Sequence, residues 1–149
     1  MNAYTETVGT HLNNLLEKTY DAEKGYKTAA ENTENTNLKA FFQRKSEERK
    51  DFGHALKAEI KLFGEEPEKG GSIQGNMHRA WMDTKAFFTK DNAEAMLEES
   101  IRGEKAAIDE YEHVLKEATL PASTNSILSY QINTIKSDLK TVKRLEDLS

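Results

Sequence analysis

Apolar residues recur at helical spacing in four long stretches of this chain, and no stretch shows the alternation of a strand. Val8, Leu12, Leu15, Leu16, Ala22, Tyr26 and Ala30 form one stripe. It predicts helix A from about Thr7 to Thr33, ended by the polar run NTENTN. Leu38, Phe41, Phe42, Phe52, Leu56, Ile60 and Phe63 predict helix B from about Asn37 to Phe63, with Gly64 as its stop. The turn-rich EEPEKGGSIQG follows, and then Met77, Trp81, Thr84 and Phe88 predict a short amphipathic helix. Helix C is expected from about Asn92, with Asp91 and Glu94 at capping-box spacing and Met96, Leu97, Ala107, Ile108, Tyr111, Val114 and Leu115 inward. Pro121 breaks the chain. Helix D is expected from about Ser123 to Asp147, burying Ile127, Leu128, Ile135, Leu139, Val142 and Leu145.

The connections set the topology. A to B and C to D are short, so each pair predicts an antiparallel hairpin. B to C is long enough to travel the length of a bundle. The expected fold is therefore all-α: two antiparallel hairpins joined by a long crossover with a short helix, the ferritin-like arrangement. The 149 residues predict a single domain, 1–149.

Composition narrows the function classes. Charged residues make up 32% of the chain, yet the net charge is only −5 because Lys and Arg are scattered among the acids. No basic stripe for nucleic acid exists, and Lys136, Lys140, Lys143 and Arg144 read as one solvated helix face. With no cysteine, disulfides, thiolate metal sites and Cys nucleophiles are excluded. MNAYTETVGT lacks an apolar run, so no signal peptide is expected, and no apolar stretch predicts a membrane span. GGSIQG lacks the strand and lysine of a phosphate loop. Four scattered histidines give no Ser-His-Asp arrangement. Phe41, Phe42, Phe52 and Phe63 read as core, and Trp81 as the anchor of the crossover helix, with an exposed partner-binding patch as its alternative.

The informative residues are acids on apolar stripes. On a helical wheel, Glu104 lies within roughly 20° of the apolar centre of helix C, and Glu23 within about 50° on helix A. Lys45 and Arg49 point at the core from helix B with Glu48 on their flank, and Gln131 and Asp138 face inward from helix D. Hairpins turning near Asn35 and Pro121 bring Glu23 level with Glu48, and Glu104 level with Leu139 beside Asp138. Buried acids need a partner. One reading is a dinuclear metal site, with Glu23, Glu48, Glu104 and Asp138 around Fe or Mn. The other is a buried ion network, in which Lys45 and Arg49 neutralise the acids and Tyr26 and Tyr111 add hydrogen bonds. His54 and His113 point away from the core, and Asp51-x-x-His54 lies on the outer face. Glu59 and His11 read as a second pair near one bundle end.

DAEKGYKTAAEN, FFQRKSEERKDFGHALKAEI, HRAWMD and EESIRGEKAAIDEY resemble a bacterial family of ferritin-like four-helix-bundle proteins classed as a domain of unknown function. The form is similar to versions from Bacteroidetes. The resemblance implies a ferritin-like fold, a cytoplasmic location and a link to stress. Metal-binding members of the wider superfamily carry a glutamate on helices A and C and Glu-x-x-His on B and D. Glu23, Glu104 and Glu48 match the glutamates, but Asp51 stands where His would follow Glu48. On helix D, neither Gln131 with Thr134 nor Asp138 with Thr141 makes the motif. The expectation is a non-catalytic protein, homo-oligomeric and plausibly dimeric, with no nucleic-acid or membrane partner. The alternative is a di-metal ferroxidase, oxidase or storage protein.

Overall fold

The computed structural model describes residues 3–67, 92–117 and 119–148. They form four α-helices, α1 (Ala3–Asn32), α2 (Thr36–Leu62), α3 (Ala93–Glu117) and α4 (Ala122–Thr141), followed by a 3-10 turn at Leu145–Leu148. No strand occurs among the described residues, and none of their helices is long and apolar enough to cross a membrane. The expected crossover helix, with Met77, Trp81 and His78, lies outside them.

Local chemistry sets the helix ends. Asn35 caps α2 by accepting the Leu38 amide at 2.9 Å. At its far end Gly64 takes φ 77°, the Gly64 amide donates to Lys61 O and the Glu65 amide to Ile60 O. That paired pattern closes a helix and favours glycine at the left-handed position. At α3, Asn92 takes the capping role, accepting the Ala95 amide at 3.0 Å. The expected cap, Asp91, lies outside the described residues. The last helix stops earlier than its apolar pattern indicates. Val142 turns to extended backbone, and Asp147 Oδ2 accepts the Lys143 and Arg144 amides. Val142, Leu145 and Leu148 still reach the core, carried there by the turn rather than by α4.

Contacts along the helices give their directions. Tyr26 meets Ser100 and Lys18 meets Glu110, so α1 runs antiparallel to α3. Lys45 meets Asp138 and Glu59 meets Thr124, so α2 runs antiparallel to α4. Since α1 and α2 form a hairpin, α2 and α3 are parallel, and α3 begins at the bundle end opposite to the one where α2 stops. These are the all-α bundle and the helix directions expected from the sequence; the expected crossover lies outside the described residues.

The core is split in two. One apolar cluster gathers Ala22, Tyr26, Ala29, Phe41, Phe42, Met96 and their neighbours. The other gathers Leu12, Leu16, Leu56, Ile60, Val114, Leu128 and theirs. Burial of each large aliphatic or aromatic side chain contributes about 1.5–3 kcal/mol. Between the clusters lies a polar layer.

Candidate functional site: a caged ammonium between two apolar clusters

Lys45 projects from α2 into the bundle and is fully buried. Its Nζ donates to Glu48 Oε2 and to Asp138 Oδ2, each at 2.7 Å. Glu104 Oε2 lies 2.9 Å from the same nitrogen, an ion-pair contact without a well-aligned hydrogen bond. Three carboxylates from three helices thus surround one ammonium. Arg49, one turn along α2, donates from Nη1 to Glu48 Oε2 at 3.0 Å and from Nη2 to Glu104 Oε1. Its guanidinium lies over the rings of Tyr26 and Phe52. At the rim, the half-exposed Arg44 stands 3.6 Å from Asp138 and 4.0 Å from Glu48.

The charges shift one another. Burial pushes the Glu104 carboxyl up, but Arg49 and then Lys45 more than offset it and hold it below the usual range. Burial also pushes Asp138 up, and Lys45 leads in holding it below its ordinary value. At Glu48 burial wins over both cations and the carboxyl is raised. A falling pH therefore protonates Glu48 first. Burial would strip the Lys45 proton, yet Glu104 leads the carboxylates in raising it above its ordinary value. Arg49 is likewise raised.

Two tyrosines close the layer against the apolar clusters. Tyr26 OH shares a 2.8 Å hydrogen bond with Ser100 Oγ. Tyr111 OH donates to Gln131 Oε1 at 2.6 Å, and Gln131 Nε2 donates to Phe52 O at 3.3 Å. Burial pushes Tyr111 up to about 12 and Tyr26 well above the usual phenol range.

Of the four expected ligands, Glu48, Glu104 and Asp138 converge. Glu23 does not join them. It is half-buried and lines a depression between α1 and α2 with Lys27, Glu31, Gln43 and Lys50. The inward positions beside it on α1 belong to Ala22 and Tyr26. The expected His11–Glu59 pair is also absent. Glu59 instead accepts from Thr124 Oγ1 at 2.6 Å in the first turn of α4, where Pro121 offers no side-chain cap. His11 packs its ring against His113 of α3, with 6.0 Å between ring centres. Asp51 and His54 are both exposed.

A dinuclear metal fits these donors poorly. The point equidistant from the three carboxylates is filled by Lys45 Nζ, Arg49 takes the second Glu104 oxygen, and the described histidines stand elsewhere. No group of three or more His, Asp or Glu side chains among the described residues is arranged to hold a metal ion.

The family model for a domain of unknown function, DUF2383, matches residues 7–117. The chain belongs to the DUF2383 family. The match spans α1, α2 and α3, and so takes in Lys45, Glu48, Arg49 and Glu104. Asp138 and Gln131 of α4 lie beyond it. No curated protein matches the chain.

Proposed function

We propose that this DUF2383 chain is a non-catalytic, ferritin-like bundle protein of the bacterial cytoplasm. Its mid-bundle charges fix helix register in place of a metal. The observation that carries the reading is the seat of Lys45 Nζ, within 2.7–2.9 Å of oxygens from Glu48, Glu104 and Asp138. An ammonium there supplies the positive charge that buried carboxylates require. The sequence resemblance supports a stress-linked role and a homodimer, and the −5 charge without a basic stripe supports partners other than nucleic acid.

The rival di-iron or di-manganese carboxylate reading needs the same oxygens for metal. It is supported by the convergence of acids from three helices and opposed by the cations already among them. Metal content of the purified protein, before and after Fe(II) with dissolved oxygen followed, separates the two. The proposal expects no stoichiometric iron and no oxygen uptake. About two irons per chain with oxygen consumed, the loading of a di-iron bundle, overturns it.

A further inference from the structure

A groove of about 510 Å³ runs between α2 and α4, beside the buried layer, with which it shares Glu48 and Gln131. That size falls within the range of small-molecule sites, about 300–1,000 Å³. Phe52 and Ala55 from α2 and Ile127 and Tyr130 from α4 give it an apolar wall. Tyr130 is 68% exposed, with its ring set edge-on to Phe52 at 6.5 Å. A large aromatic kept in water beside a second ring is a ready face for a flat or cationic guest.

The charges on the groove point to the guest's sign. Glu47, Glu48 and Asp51 line it against a single guanidinium, Arg44. Arg44 already faces Glu48 and Asp138. Glu47 and Asp51 are exposed and make no ion pair among the described residues. A second copy of this chain is a poor occupant, because a two-fold interface would set the acidic rim against itself. Residues 65 and 66, just after α2, lie away from the groove. Glu65 packs on Gly9 so closely that a Cβ there would sit 2.5 Å from Glu65 Cγ, and Asn13 Nδ2 donates to Glu66 O. Both contacts place Glu65 and Glu66 against α1.

We propose that the α2–α4 groove binds a small organic cation, an amine carried on an apolar or aromatic body. The body seats against Phe52, Ile127 and Tyr130, and the ammonium faces Glu47 and Asp51. The inference does not rest on the charged-layer reading, and none of the residues tested belongs to that layer.

The test titrates the full chain with 4-phenylbutylamine, its neutral counterpart 4-phenylbutanol and the acid 4-phenylbutyrate, followed by amide NMR. The proposal expects saturable shifts of α2 and α4 amides around Asp51 and Tyr130 with the amine, at roughly millimolar concentration for a probe of this size. The alcohol should bind about tenfold more weakly, the difference of one desolvated charge contact. Tyr130→Ala should weaken the amine about fivefold, a loss in the range of one cation–ring contact. Glu47→Gln with Asp51→Asn should bring amine and alcohol level. Equal binding of all three probes, shifts elsewhere, or no saturable shift overturns the proposal. So does a concentration-dependent shift of the same amides without probe, which would mark a copy of the chain in the groove.

Discussion

Lys45 on α2 and Asp138 on α4 are 93 residues apart in sequence, yet Nζ stands 2.7 Å from Oδ2. With Glu104 of α3 at the same nitrogen, one side chain ties three of the four helices at a single height. Removing a charge here therefore differs from removing a surface charge. Lys45→Met removes the cation that Glu48, Glu104 and Asp138 share, leaving them only Arg49 and Arg44, and a loss of about 3–5 kcal/mol is expected. The double substitution Lys45→Met with Glu104→Leu leaves Arg49 with Glu48 and Arg44 with Asp138. It should be less damaging than the sum of its parts. Urea unfolding of the four proteins in the cycle gives the coupling directly, and additive losses would mean that the pair does not interact.

Replacing the ammonium by space tests its role as the resident cation. Lys45→Ala leaves three carboxylate oxygens facing one void. The variant, unlike the parent, is expected to gain thermal stability on addition of Mn(II), as a ligand of the folded state does. If parent and variant shift alike, the carboxylates are not the site of the effect.

The acid limb of stability has a definite sign. In the folded state Glu104 and Asp138 titrate below their unfolded values of about 4.3 and 3.9. They contribute stability above those values and lose it as pH falls through the folded pKa. Glu48 is raised, so its protonation works the other way and offsets part of the loss. Stability should be nearly flat from pH 7 to about 5 and fall below about 4. Glu104→Gln should cost more than Glu48→Gln at pH 7 and show the shallower acid limb. Denaturant midpoints against pH check both.

In alkali the same linkage acts through the raised groups Lys45, Tyr26 and Tyr111. Above about pH 10 the unfolded chain gives up protons that the folded chain keeps, so stability falls as pH rises. Tyr111→Phe removes one such group and leaves Gln131 Oε1 without its donor. A loss of about 1–3 kcal/mol at pH 7 is expected, with a weaker decline between pH 10 and 12. An unchanged alkaline profile would exclude Tyr111 as a contributor.

Glu59 reaches from α2 to the first turn of α4. Its carboxylate sits at the positive end of α4 and accepts from Thr124. Glu59→Ala leaves the buried Thr124 hydroxyl without its acceptor and should cost about 1–3 kcal/mol, and hydrogen exchange should quicken first at residues 122–126. Equal protection of that turn in both proteins would show that α4 does not depend on Glu59.

The hydrophobic period was enough to read the four helices and their pairing, because each stripe runs for several turns. It also exposed Lys45, Arg49, Glu104 and Asp138, whose polarity contradicts the face they occupy. It failed at Glu23, where about 50° of offset leaves a long side chain free to leave the core, and Ala22 and Tyr26 fill the inward places instead. Glu59 was legible as a buried acid but its partner was not, since Thr124 lies 65 residues away and carries no charge. The contact of His11 with His113 was missed because a wheel judges each ring against its own helix and not against its neighbour. The end of α4 was misplaced because Val142 and Leu145 keep the apolar pattern after the backbone has left the helix.

The split core has a kinetic consequence. Each hairpin holds only part of the layer: Lys45, Arg49 and Glu48 on the first, Glu104 and Asp138 on the second. A hairpin formed alone must keep its charges wet, so the apolar residues beside them stay partly open to water. Drying occurs only when both halves meet in the correct alignment, and a slip of one turn, about 5.4 Å, would trap opposite charges apart. The layer thus penalises every register but one, because only the native alignment pairs its charges as the apolar clusters close.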